Sequence, residues 1–270
     1  MNQRLRHCER GAAIQAEDAV AGSSSLVSPP PGILHSYRLG LQPYVPVWQA
    51  MQWSLRDRDA ATPDALWRVE HLPVFTLGRN ARLEHLLRPG AIPVVRVDRG
   101  GQVTFHGPGQ VVLYLLLDLR RHGLGIRALV DLLQESVIET LARFGVRAQA
   151  RADAPGVYVH GAKIAALGLR VCNGCCMHGL AFNVRPRLAE FTRMDACGYP
   201  GLATTSMRAL GLNVDPDQVA SVLEQRLADR LGCRLEPVHH LPETLVTVLA
   251  QAGASLSHRR SRSSPSRAGS

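Results

Sequence analysis

Residues 110–119 read QVVLYLLLDL, a run in which odd and even positions alike are apolar. A strand with one wet face alternates apolar and polar residues, so this one has to be buried on both faces. The chain must therefore cover a strand from two sides. Residues 126–144 offer one cover, with Leu129, Leu132, Leu133, Val137, Leu141 and Phe144 on a single helical face and Gly145 placed to end the helix. Residues 44–58 offer another, with Val47, Trp48, Met51 and Leu55 at helical spacing behind Pro43. Further helices are predicted at Asp215–Leu231 and Pro242–Ala250, and a short one around Leu188–Phe191.

Strands are predicted at His35–Leu39, Ala65–His71, Val74–Leu77 and Pro93–Val97, and the residues from Arg99 to Gly109 read as one loop. Val157–Ile164 reads as a hairpin turning at His160-Gly161, its second strand running through Leu169 to Val171, with another arm at Gly179–Val184. Hairpins combined with helices that do not alternate strictly with strands predict an α+β fold with a mixed, mostly antiparallel sheet. One main domain, 35–256, is expected between an extension, 1–34, and a Ser/Arg tail, 257–270, both expected to be disordered. The first 31 residues contain no apolar core of a signal peptide, and no segment reaches about 18 apolar residues without a charge. A cytoplasmic protein with no membrane partner is the expectation.

The formal charge is +9, of which the tail arginines Arg259, Arg260, Arg262 and Arg267 supply four, leaving +5 on the main domain. Such an excess favours acidic macromolecular partners. Nucleic acid is not expected among them, because aromatics are 5% of the chain and no strand interleaves them with arginine. Six cysteines without an export signal are expected to be reduced thiols. Cys172-Asn-Gly-Cys175 has metal-ligand spacing but no second ligand pair, so no metal is expected.

Among 31 Lys+Arg residues a single lysine occurs, Lys163. Coding bias with one leftover lysine explains the count. So does use of the one cation of the pair whose proton, near pKa ~10.4, can be tuned and moved. The residues around it favour use. Arg99-Gly-Gly-Gln-Val-Thr-Phe-His-Gly-Pro-Gly-Gln110 places four glycines between apolar strands, where backbone can approach a ligand, yet it has neither Gly-rich phosphate-loop spacing. Gly161-Ala-Lys-Ile-Ala-Ala-Leu-Gly168 and Met177-His-Gly-Leu-Ala-Phe-Asn-Val184 put a polar group at the start of a strand and small residues further in, which suits a narrow apolar slot. Asn183 reads as a buried hydrogen-bonding residue. Cys197, in Asp195-Ala-Cys-Gly-Tyr-Pro-Gly201, is the cysteine best placed to be accessible, and a nearby ammonium would favour its thiolate.

RGGQVTFHGPGQ at 99–110, EHLPVFTLGR at 70–79, RADAPGVYV at 151–159, GAKIAALGLR at 161–170, HGLAFNV at 178–184 and ACGYPG at 196–201 together resemble the lipoyl(octanoyl) transferases. The resemblance runs in order from about His35 to Leu231. It implies a catalytic domain of biotin/lipoate protein ligase type, and an acyltransferase moving an octanoyl (or lipoyl) group from acyl carrier protein to a lysine of lipoyl domains. Those domains belong to 2-oxoacid dehydrogenase E2 subunits and the glycine cleavage H protein. It implies neither ATP nor metal, and a monomer is expected. The family's nucleophile falls on Cys197 and its required lysine on Lys163. Its acyl-contacting segments fall on Arg99, Gly100, Gly101, Gln102, Val103, Thr104, Phe105 and His106, on Ala166, Leu167 and Gly168, and on Gly179, Leu180 and Ala181. Two positions depart from the family: Ala196 stands where proline is usual, and Ala166 where serine is common. The implied route is an octanoyl thioester on Cys197, with Lys163 or His178 taking a proton from the acceptor lysine and amides near Gly101 or Gly198 holding the oxyanion.

Overall fold

A computed structural model describes residues 32–195 and 198–251. In chain order the main elements are β1 (Gly32–Gln42), α1 (Tyr44–Arg56), β2 (Asp64–His71), β3 (Val74–Leu77), β4 (Val94–Arg96), β5 (Val103–His106) and β6 (Gln110–Asp118). There follow α2 (Ile126–Arg143), β7 (Gln149–Ala150), β8 (Gly156–Val159), β9 (Ala162–Cys172), β10 (Cys175–Asn183), α3 (Pro216–Arg230), β11 (Cys233–Val238) and a last helix, α4, at 243–251. Eight strands form one sheet in the order β11-β1-β2-β6-β10-β9-β8-β7, and β4-β3-β5 form a second, small one. In the large sheet β1 runs parallel to β2 and β11, and every other pairing is antiparallel. The α+β reading with a mixed, mostly antiparallel sheet is what the structure has.

β6 lies at the centre with all nine residues buried. Val111, Leu113, Leu115 and Leu117 face α2 and α3, where they meet Leu129, Leu133, Val137 and Leu141 and then Val219, Leu223 and Leu227. Val112, Tyr114 and Leu116 face the other way, toward Val47 and Met51 of α1 and Leu245 and Val248 of α4. The doubly apolar sequence thus has a helical layer on each side. α3 begins where its sequence allows, with the Asp215 carboxylate accepting from the Asp217 N–H (3.0 Å) and Pro216 in the first turn.

The differences from the sequence reading are local. Gly32–Leu34, assigned to the extension, belong to β1 and pair with Cys233–Leu235, so β11, which the sequence did not predict, holds the N-terminal strand in register. The residues from Arg99 to Gly109 are not one loop, because Val103–His106 pair antiparallel with Val74–Leu77. This strand is too short, and too close to glycines, to show a period-2 signal. Cys172 is disulfide-bonded, not the reduced thiol expected, while Cys175, Cys176 and Cys233 are free. Among the described residues no helix is long and apolar enough to cross a membrane.

Because β6 is packed on both faces, Leu115→Ala leaves a cavity with no route to collapse. We expect a loss of about 2–5 kcal/mol and a fall in Tm on the order of 10 °C. Ile126→Ala, at an exposed position, should stay within about 0.5 kcal/mol. Thermal and denaturant unfolding of the two variants measures this, and equal small effects would contradict the two-faced core.

Candidate active site

On the α1 side of the sheet β9 and β10 place small residues opposite one another, Ala166 against Ala181 and Gly168 against Gly179. Four adjacent small residues leave a trough in a sheet otherwise filled by leucine and tyrosine. Leu167 and Leu180, between them, border the trough but join the core on the α2 and α3 side. The small sheet forms the opposing wall with Gly101, Gln102, Val103, Thr104 and His106, and Tyr44, Val112 and Tyr114 complete the lining. The cleft encloses about 740 Å³, part of it open to solvent. Close packing requires glycine at both 168 and 179. A Cβ on Gly168 would lie 3.0 Å from Arg99 Cδ, and one on Gly179 would lie 2.0 Å from the Leu113 carbonyl oxygen.

Lys163 lies at the start of β9 and lines this cleft with its side chain buried. Its backbone is gripped twice, donating to Ala203 O (2.8 Å) and accepting from Thr205 N–H (2.9 Å), so the following loop fixes its position. Nζ donates to Pro155 O at 3.2 Å and sits 5.1 Å from the centre of the Tyr158 ring. Tyr158 is held by its own hydroxyl on Ala154 O (2.7 Å). Room for the ammonium comes from Gly156, where φ is 146° and a Cβ would approach Nζ to 3.1 Å.

At the opposite end Asp98 ties four segments together. Its carboxylate accepts from Trp48 Nε1 (2.8 Å) and Gln52 Nε2 (3.1 Å) of α1, from His178 Nε2 of β10 (2.8 Å), and from Arg170 of β9. Burial alone would raise its pKa, but the hydrogen bond and charge of His178, with the bonds from Gln52 and Trp48, outweigh that and hold it well below the usual carboxylate range. His178 adopts φ 64°, uncommon for a residue with a side chain, and its Nδ1 has no hydrogen-bond partner among the described residues. Next to Asp98, Arg99 lines the cleft with its stem while its guanidinium donates to Thr76 O and Oγ1 (2.8 Å each), Gln102 O and Gly100 O (2.9 Å each). It shapes the glycine-rich segment from within.

A buried aromatic group closes the side wall. Tyr114 donates to His71 Nε2 (2.7 Å), and His71 Nδ1 donates to Gln42 O (3.0 Å), which fixes the neutral tautomer. His106 stacks on Tyr44 at 5.7 Å, and its Nδ1, like Gln110 Oε1, has no partner among the described residues. Burial depresses His71 to about 4 and pushes His106 and His178 below the ordinary imidazole range. Orphaned polar atoms around a mostly apolar cleft mark a place built to be occupied.

Of the residues expected to contact an acyl chain, Arg99, Gly101, Gln102, Val103, Thr104, His106, Ala166, Leu167, Gly168, Gly179, Leu180 and Ala181 line the cleft, together with Lys163. Gly100 and Phe105 do not. The Gly100 N–H bonds Leu169 O (2.9 Å), locking the segment to β9. Phe105, alternating away from its neighbours, packs 5.4 Å from both Phe75 and Phe191. Cys197, with Ala196, lies outside the described residues. The Gly198 N–H already donates to Asp195 O (3.0 Å), so it is not a ready oxyanion donor. Asn183 is the buried bridge expected, accepting from Gln110 Nε2 (2.9 Å) and donating to Thr205 O (3.1 Å). Sequence reasoning missed Asp98, Tyr44 and Tyr114. Tyr114 had a signal, as the one hydroxyl inside VVLYLLLDL. Among the described residues no group of three or more His, Cys, Asp or Glu side chains could hold a metal ion.

Residues 43–228 match the family of the lipoyl protein ligase A/B catalytic domain. The octanoyltransferase of Xanthomonas campestris pv. campestris (strain B100) is 54% identical over 205 residues, 76% of this chain and 88% of that protein. That of Pseudomonas fluorescens (strain Pf0-1) is 53% identical over 201 residues, 74% of this chain and 94% of the relative. Among solved structures, a lipoate-protein ligase A bound with ATP superposes with a TM-score of 0.65 at 14% identity, covering 82% of this chain and 93% of that one. This last likeness concerns the fold.

Two outcomes follow from the geometry. The unfolded chain binds protons near pH 6.5 that buried His71, His106 and His178 do not, so stability is complete above about pH 7. It falls as pH drops below about 6.5, by up to about 1.4 kcal/mol per pH unit for His71 down to about 4, with His106 and His178 acting in the same direction. Denaturant unfolding at about pH 7, 6 and 5 checks this, and a flat profile would contradict it. Asp98→Asn leaves Arg170 and His178 without their shared carboxylate and should cost about 3 kcal/mol and most of the activity. An unchanged Tm would show that the four segments hold together without it.

Proposed function

The chain belongs to the lipoyl protein ligase A/B catalytic-domain family and is an acyltransferase of the octanoyltransferase type, and from that premise we propose that it moves an octanoyl group from acyl carrier protein to a lysine of a lipoyl domain through a thioester on Cys197. The observation that carries this reading is the slot running from Lys163 past the cross-strand pairs Ala166/Ala181 and Gly168/Gly179. From Lys163 to Gly168 is about 16 Å along the strand. A straight apolar chain with its reactive carbonyl near the ammonium fits such a trough, whereas a branched or bulky acyl group meets Arg99 and the side wall of Tyr44 and Tyr114.

The Cys197 thiolate attacks the donor carbonyl, the bond to the carrier sulfur breaks, and the carrier leaves as a thiol. The Lys163 ammonium favours that thiolate and can return a proton to the leaving sulfur. In the second half the acceptor amine attacks the same carbonyl, an amide forms and Cys197 is released. Thioester is exchanged for thioester and then for amide, so neither step needs ATP or a metal. The enzyme acts on soluble carrier proteins of the cytosol, as a monomer, serving lipoyl domains such as those of 2-oxoacid dehydrogenase E2 subunits and the glycine cleavage H protein.

An ATP-dependent ligase is the competing reading, since the fold is shared with an ATP-bound ligase. The identity to octanoyltransferases favours transfer. Purified protein should transfer octanoyl from octanoyl-acyl carrier protein to a lipoyl domain without nucleotide, with parallel double-reciprocal lines. Activity confined to free octanoate plus ATP would overturn the proposal. Lys163→Arg, which keeps charge but not titration, should lower kcat by a factor on the order of 10² or more. Turnover near that of the unaltered enzyme would return Lys163 to a structural role.

A further inference from the structure

With the reacting carbonyl at the Lys163 end, the length of the acyl chain is decided at the far end of the slot. Lys163 Nζ lies beside Gly156, where an added Cβ would come within 3.1 Å of it, and Gly156 pairs with Ala166. From there the slot continues past Tyr114, Gly179 and Gly168, which sit side by side on three strands and all line it. In the next row of the same face Met177 pairs with Arg170, and Leu116 shares the core of Met177. None of these three lines the cleft, so it closes between the two rows. The side chain found at that closure is His178, which does line it.

His178 stands there against the alternation of its strand. Cys176, Leu180 and Phe182 join the core under α2 and α3, and period two would send residue 178 after them. A φ of 64° breaks the alternation and turns the imidazole to the α1 side. There it meets the Tyr114 ring edge to face at 6.1 Å, and Nε2 donates to Asp98, which also receives Trp48 and Gln52 of α1. Left-handed backbone under a Cβ persists only where the surroundings hold it, and the Asp98 anchor does so here. The spacing matches a short chain. From Ala166 to Leu169, the partner of His178, is three residues, about 10 Å. An extended chain advances about 1.2 Å per bond, so eight carbons span about 9 Å.

We propose that His178, turned into the slot and held by Asp98, is the end wall that limits the acyl chain to about eight carbons. This rests on the reading of the protein as an acyltransferase whose reacting carbonyl lies at Lys163. The imidazole acts by excluded volume, as a specificity-determining residue that touches the far end of the chain. Burial holds the ring neutral, so the wall that meets an apolar chain end carries no charge. A longer chain runs into the ring, which cannot retreat while Asp98 is bound to Arg170, Trp48 and Gln52 behind it. A shorter chain leaves the end of the slot unfilled and loses about fourfold in affinity per missing methylene.

The test is a chain-length profile. Acyl carrier protein loaded with hexanoyl, octanoyl, decanoyl or dodecanoyl groups, with a lipoyl domain as acceptor, gives kcat/KM for each length. The unaltered enzyme should peak at octanoyl and fall on the order of tenfold or more at decanoyl. His178→Gly, which takes a φ of 64° without strain, should move the peak to decanoyl or beyond and raise the decanoyl-to-octanoyl ratio on the order of tenfold or more. His178→Asn, smaller than histidine and at ease in left-handed backbone, should shift the ratio the same way by less, and serves where the glycine variant does not fold. A merely structural role would lower turnover of all four lengths by one factor. An unchanged ratio in a folded variant would therefore overturn the proposal, as would an unaltered enzyme that takes dodecanoyl as readily as octanoyl. Failure of the unaltered enzyme to transfer any of the four would instead overturn the acyltransferase reading, and this proposal with it.

Discussion

One largely buried carboxylate, that of Asp98, sets the shape on which the cleft depends. It receives donors from α1, β9 and β10 while leading into the glycine-rich segment through Arg99. An anion in that position is tolerable only because its donors outweigh its loss of water, and the low pKa of the group records that balance. Remove it and α1, the two floor strands and the upper wall lose their common anchor. Arg99 continues the arrangement, fixing the wall through carbonyls of its own segment and of Thr76. Two opposite charges, adjacent in sequence, thus hold the floor and wall of one slot.

The slot is a deletion of side chains from an otherwise packed sheet. β6 is covered on both faces, so an apolar guest can enter only where β9 and β10 place alanine and glycine opposite one another. Lys163 occupies the end of that trough because β9 starts there and the Ala203–Thr205 backbone grips it. The composition now has a physical counterpart. The one lysine of the chain lines this slot with its side chain buried, while Arg99, which shares the lining, is committed to carbonyls of the wall.

Much of this was legible in the sequence, for identifiable reasons. The central strand announced itself because burial on both faces leaves no polar alternation, and the helices because their apolar positions recur at 3.6. The small residues flanking Leu167 and Leu180 were readable as a slot because no core position favours them. Other features were hidden. β5 is four residues between glycines, and β11 shows only in its pairing with β1. Asp98 looks like an ordinary loop residue, and its importance comes from partners 46 to 80 positions away. Phe105 lies outside the cleft lining for a related reason: its neighbours face the cleft, and alternation turns it into the small core instead. Cofactor-free chemistry, by contrast, rests on the family and on the thioester logic.

The central claim is that the acyl group passes through covalent attachment to Cys197 while its chain lies in the slot. Intact-mass measurement after adding octanoyl-acyl carrier protein without acceptor addresses it directly. The account predicts one octanoyl group on the protein, mapped to Cys197 by peptide fragmentation, absent from Cys197→Ser and discharged when lipoyl domain is added. No adduct on the unaltered protein, or an undiminished adduct on Cys197→Ser, would contradict it.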